Sequence, residues 1–159
     1  MICGQEGPVY TVAWSPDSAS IVTASIDGTT RVFHVGDRDA RVPILLRGHE
    51  AMIKDVELSS DNQRIVTASE DNTARVWRGD GSGPPVVLRG HEGRVFTAAF
   101  SPDSQRIVTA SGDETARVWR ADGTGQPVVL RGHQGAVWMA AFSPDGQPRQ
   151  GGLLGRVEH

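Results

Sequence analysis

Two copies of a recurring segment carry a histidine, a serine and an aspartate at the same spacing: His49, Ser69 and Asp71, then His91, Ser111 and Asp113. These are the groups of a nucleophilic hydrolase, in which the imidazole takes the hydroxyl proton and the carboxylate orients the imidazole. The pattern argues against that chemistry. Enzymes rarely repeat one nucleophile constellation along a small domain, and neither serine sits in the Gly-x-Ser-x-Gly elbow that would present it. His49, His91 and His133 recur 42 residues apart, far from the short Cys/His spacings of a structural zinc site. No metal site and no cofactor is expected. The stretches "GDGSG" and "ADGTG" lack the Gly-Lys-Ser/Thr ending and following helix of a phosphate-binding loop, and read as turns.

Short strands would have to hold these side chains. "RGH" recurs at Arg47, Arg89 and Arg131 with a period of 42 residues, and residues 49–90 and 91–132 are identical at 27 of 42 positions. Self-similarity across a whole unit, turns included, marks one copied structural module. Within the third copy, "VFTAAF", "RIVTAS", "ARVWR" and "PVVLR" are rich in the β-branched and aromatic residues of strands. Between them "SPDSQ", "GDET" and "ADGTGQ" supply Pro, Gly, Asp and Ser, which bend the chain. The spacing predicts complete four-stranded units over about residues 8–47, 52–89 and 94–131, and the inner strand of a fourth at 136–142. The first connection is two residues longer than the third. After Gln147 the register is lost, and residues 148–159, "PRQGGLLGRVEH", are expected to be a disordered non-repeat tail following a repeat segment over 1–147.

From residue 4 to about 147, "GHEGRVFTAAFSPDSQRIVTASGDETARVW" and its relatives resemble the WD-repeat β-propellers. The resemblance implies an all-β fold: a partial propeller of four-stranded antiparallel blades, with strands running outward from a central channel. Trp77 and Trp119 are followed by Arg78 and Arg120, and Phe33 by His34, where the family's name has Asp. The resemblance also implies roles. His49, Ser69, Asp71 and Trp77, then His91, Ser111, Asp113 and Trp119, would form buried hydrogen-bonded tetrads that tie the turns of a blade together. Imidazole, hydroxyl, carboxylate and indole can satisfy one another, and a buried polar group left unpaired costs about 1–3 kcal/mol. The first copy has Gln5, Ser25, Asp27 and Phe33. Phe33 offers no indole donor, so its blade is expected to be the least stable of the three.

Binding residues should be those that change while the frame stays constant. Two residues into each inner strand the copies carry Tyr10, Lys54, Phe96 and Trp138; two positions earlier they carry Pro8, Met52, Arg94 and Ala136. In the propellers this chain resembles, inner strands begin near the channel rim, a docking surface. Tyr10, Lys54, Arg94, Phe96 and Trp138 are therefore a candidate partner-binding rim, since aromatics and Arg dominate interface energetics. The other reading is that these aromatics line or fill the channel. Val9, Ile53, Val95 and Val137 are read as the core-facing set.

A formal charge of −3 argues against binding nucleic acid or an anionic membrane, which needs a basic face. Fifteen of the sixteen Lys and Arg residues are Arg, whose planar fork suits internal pairing with carboxylates. The lone cysteine, Cys3, can make no internal disulfide, and no stretch approaches the ~20 apolar residues of a membrane span. With no leader pattern at its start, the chain is expected to be cytoplasmic. Its expected function is that of a scaffold for proteins or peptides without catalytic activity. The alternative is a piece of a larger regulatory or signalling protein, with the propeller as an appended sensory or binding module. Propellers close with four to eight blades, so self-association to complete a ring is also expected, two chains of three and a half blades summing to seven.

Overall fold

The computed structural model describes residues 7–36 and 42–146. Gln5, residues 37–41 of the first connection and the 148–159 tail lie outside the described residues. The first sheet holds β1 (Val9–Trp14), β2 (Ser20–Ser25), β3 (Thr30–His34) and β4 (Ile44–Leu46). The second holds β5 (Ile53–Leu58), β6 (Arg64–Ser69), β7 (Ala74–Arg78) and β8 (Val86–Leu88). The third holds β9 (Val95–Phe100), β10 (Arg106–Ser111), β11 (Ala116–Arg120) and β12 (Val128–Leu130). Each sheet is antiparallel, with its strands side by side in chain order. Among the described residues no helix is long and apolar enough to cross a membrane.

Turn chemistry sets the strand ends. After each inner strand a serine hydroxyl donates to the aspartate two residues on, Ser15 to Asp17 at 2.6 Å, Ser59 to Asp61 at 2.5 Å and Ser101 to Asp103 at 2.5 Å. The carboxylate then accepts the backbone N–H two residues further on, from Ala19, Gln63 and Gln105. These are the local side-chain bonds that let Ser and Asp replace a ladder with a turn. The fourth turn residue takes a left-handed φ of 57° to 59° in Ser18, Asn62, Ser104 and Gly146.

Blades stack through apolar layers. Ile53, Val56, Leu58, Ile65 and Trp77 of the second pack on Val22, Ala24, Val32 and Leu46 of the first, and the third packs on the second in the same way. Polar links reinforce the stack: Arg64 Nη2 donates to Ser104 O at 2.5 Å, and Arg106 Nη2 to Gly146 O at 2.7 Å.

In every blade the pairing of the inner strand with its neighbour slips by one residue. Val9 faces Ser25 but Thr11 faces Ala24, and the same step occurs at Ile53/Asp55 and at Val95/Thr97. Tyr10, Lys54 and Phe96 are thus the extra residues of β-bulges, which re-aim a side chain out of the regular alternation.

Residues 136–142 form no ladder. They lie against the third blade through Val137 N–H to Ser111 O and the burial of Val137 and Ala140. Ile53, Val95 and Val137 are buried as expected, whereas Val9 is 48% exposed, since among the described residues no blade packs on β1.

Candidate functional site

Each complete set of recurring polar groups forms a chain rather than a ring. Trp77 Nε1 donates to Thr67 Oγ1 at 2.9 Å; Thr67 Oγ1 lies 2.7 Å from His49 Nε2; His49 Nδ1 lies 2.7 Å from Asp71 Oδ2. The third blade repeats the arrangement with Trp119, Thr109, His91 and Asp113 at 2.9, 2.7 and 2.8 Å. One proton assignment satisfies all four groups: the indole N–H donates to the threonine, its hydroxyl donates to imidazole Nε2, and Nδ1–H donates to the carboxylate.

Ser69 and Ser111, expected in these tetrads, are not the hydroxyls at the junction. Ser69 Oγ donates to Met52 O at 3.0 Å and accepts Asp71 N–H at 3.2 Å, and Ser111 does the same with Gly93 O and Asp113 N–H. Ser and Thr sit two apart on one face of the same strand, and the serine lies one pair nearer the turn. It therefore closes the turn, while the threonine reaches the imidazole.

The Asp–His–hydroxyl order has the connectivity of a hydrolytic triad but not its accessibility. Thr67 and Thr109 are 0% exposed, and each oxygen already accepts an indole N–H. A nucleophile must be presented to its substrate at hydrogen-bond reach; these are sealed inside the blade.

Burial alone would raise the Asp71 carboxyl. Hydrogen bonds from His49, Thr73 and the Glu50 N–H outweigh it and hold the group well below the usual carboxylate range. Asp113 behaves likewise, with Thr115, His91 and the Glu92 N–H as donors. Burial pushes the His91 imidazole down, against the pull of Asp113, which suits the neutral form assigned above.

The first blade lacks the indole: Phe33 stands in its place, and Gln5 lies outside the described residues. Amide exchange should therefore be faster in residues 9–46 than in 95–130. Equal or stronger protection of the first blade would contradict this, since local stability follows local satisfied contacts.

The inner edge of the second blade carries two half-buried carboxylates, Asp55 and Glu57. Ala98 N–H donates to Asp55 Oδ2 at 3.2 Å and Phe100 N–H to Glu57 Oε1 at 2.9 Å, so they satisfy amides along the free edge of β9. Burial, which outweighs these bonds, raises both carboxyls, and the neighbouring Asp55 raises Glu57 further. A raised folded-state value means stability that is present below the unfolded value near 4 and lost as pH rises through the folded one. Glu57→Gln keeps the acceptor and removes the charge. Its denaturation midpoint relative to the parent chain should climb between pH 4 and pH 7; a flat difference would contradict the burial.

All five expected rim residues lie at one end of the inner strands and meet in two groups. Lys54 Nζ sits 4.3 Å from the Tyr10 ring centroid and 3.9 Å from Glu70 Oε1, while Arg94 Nη1 is 3.6 Å from the same oxygen. Phe96 and Trp138 stack at 4.4 Å with planes 16° apart. Tyr10 is 50% and Trp138 55% exposed. Glu70, which joins Lys54 to Arg94, was missed; its signal was the same variation between copies, Ile26, Glu70 and Gly112. At the opposite end a cavity of about 670 Å³ lies between the first two blades, lined by Ser20, His34, Arg64 and Arg78 among others. Ser20 stands where later copies have Arg64 and Arg106, and the lost guanidinium leaves the space.

The family described as WD domain, G-beta repeat, matches residues 1–34, 41–78, 83–120 and 126–147. The matches at 41–78 and 83–120 each begin with the outer strand of one blade and run through three strands of the next, so the copied unit itself straddles the blade boundary. No curated protein matches the chain.

Proposed function

This chain belongs to the WD-repeat family, and from that premise we propose that it is a non-catalytic scaffold. It docks a protein or peptide on the rim of Tyr10, Lys54, Arg94, Phe96 and Trp138. Repeats of this family generally mediate protein–protein interaction. One observation carries the assignment to this rim: bulges turn three variable side chains out of the sheets, beside an Arg94 side chain that is 64% exposed. Exposed aromatics with a neighbouring Arg are the composition of interface hot spots. Glu70 already neutralises part of the Lys54 and Arg94 charge. The partner segment therefore pairs an apolar side chain, set against the Phe96–Trp138 stack, with a carboxylate for Arg94.

Peptide-display selection against the full chain tests this. Enriched peptides should combine an acidic and a bulky apolar residue, and lose about 10-fold or more in affinity on Trp138→Ala or Arg94→Glu. They should bind Asp122→Asn, at the far end of the third blade, unchanged. Peptides indifferent to both rim substitutions would remove this rim as the docking site.

A further inference from the structure

The two blade-to-blade interfaces inside this chain are one interface, repeated. Ile53, Val56 and Leu58 of β5, 0%, 4% and 8% exposed, are buried against the first blade. Val95, Ala98 and Phe100 of β9, 0%, 0% and 8% exposed, are buried against the second. Their equivalents on β1 are Val9, Val12 and Trp14, at 48%, 57% and 57%. At the other end the third blade presents the matching receiving face, Val108, Ala110, Ala116 and Val118. These side chains repeat Val66, Ala68, Ala74 and Val76 of the second blade, one period later.

The receiving face is covered by the ladderless segment, through Val137, Ala140 and Phe142. That segment, "GAVWMAAFSPDG", is a copy of "GPVYTVAWSPDS" at the start of the first blade. Its polar links to the third blade are Val137 N–H to Ser111 O, Ala140 N–H to Thr97 Oγ1 and Arg106 Nη2 to Gly146 O. β1 can reproduce this seat with a complete sheet behind it. Val9, Val12 and Trp14 correspond to Val137, Ala140 and Phe142. Ser18, whose φ of 58° matches 57° in Ser104 and 59° in Gly146, offers the carbonyl for Arg106.

We infer that two copies of this chain close on each other, the first blade of each seating on the third blade of the other in place of residues 136–146. The contact is head-to-tail, and such contacts either close into rings or propagate. Two copies supply six complete blades, within the four to eight with which propellers close. Seating of β1 displaces Trp138 from Phe96 and brings Tyr10 of the second copy to its place, so the Phe96–Trp138 stack of the rim proposal belongs to the single chain; solution mass tests the inference without any partner.

Light scattering over a concentration series on the full chain should give a discrete two-chain mass. Val12→Asp and Trp14→Asp place a charge where apolar burial is required, and should each weaken association by about 100-fold or more. Both side chains are exposed in the single chain, so protection in residues 53–130 should persist. In the unsubstituted chain, dilution should strip exchange protection from Val9–Trp14 and leave residues 53–130 unchanged, a readout that needs no variant. A monomer at every concentration, open-ended growth in mass, or a two-chain species surviving both substitutions overturns the inference.

Discussion

Trp119→Ala should lower the unfolding free energy by about 3–5 kcal/mol, the cost of deleting a large buried aromatic. The side chain is 7% exposed and belongs to an apolar layer that includes Val66, Val76 and Leu88 of the second blade and Ile107 of its own. It therefore acts between blades as well as within one. Its ring packs edge-on to His91, with centroids 6.1 Å apart. It also closes over Gly90, where a Cβ would meet Arg117 at 2.5 Å and the Trp119 ring at 3.4 Å. Removing it opens a cavity and leaves Thr109 without its indole donor. Urea denaturation with an unchanged slope checks this through the midpoint; an unmoved midpoint would contradict it.

Thr109→Val is the second large effect, and it separates the observed tetrad from the one expected from sequence. Valine keeps the shape but leaves the Trp119 N–H and His91 Nε2 unpaired inside the blade. At about 1–3 kcal/mol for each of the two unsatisfied buried groups, the loss should be about 2–6 kcal/mol. Ser111→Ala removes a turn-closing hydroxyl next to a partly exposed Asp113 and should cost roughly 1 kcal/mol. If Ser111→Ala proves the more damaging of the two, the serine is the energetic junction and the order derived from the distances is wrong.

Acidification should weaken the same network. His91 and the carboxyls of Asp71 and Asp113 all have folded-state values below their ordinary ones. Their stability is present above the unfolded values near 6.5 and 4, and is lost as pH falls through the folded ones. The opposite sign at Asp55 and Glu57 explains why Glu57→Gln should matter most at neutral pH.

Much of the fold could be read from neighbouring residues. The Val- and Thr-rich runs and the Ser-Pro-Asp turns are local patterns, and they dictated the twelve strands found in place, though not a ladder over 136–142. Histidine, aspartate and tryptophan were recognisable as one set because all three recur in register. The hydroxyl between them was not, because Thr67 and Ser69 share a face of β6 and only the cross-strand pairing with β7 decides which reaches Trp77. Glu70 was hidden for a similar reason: its part in the rim depends on Lys54 and Arg94, which come from two different blades.

By itself, then, the sequence determined the family, the strands, the turns and which side chains vary, since propensity and periodicity act over a few residues. Only the tertiary structure decided that bulges fall at Tyr10, Lys54 and Phe96. It also decided that Thr67 and Thr109 complete the tetrads, and that Val9, Val12 and Trp14 stay uncovered. Each of these depends on ladder register or on which blade stands next, and those are settled when sheets pair and stack across tens of residues.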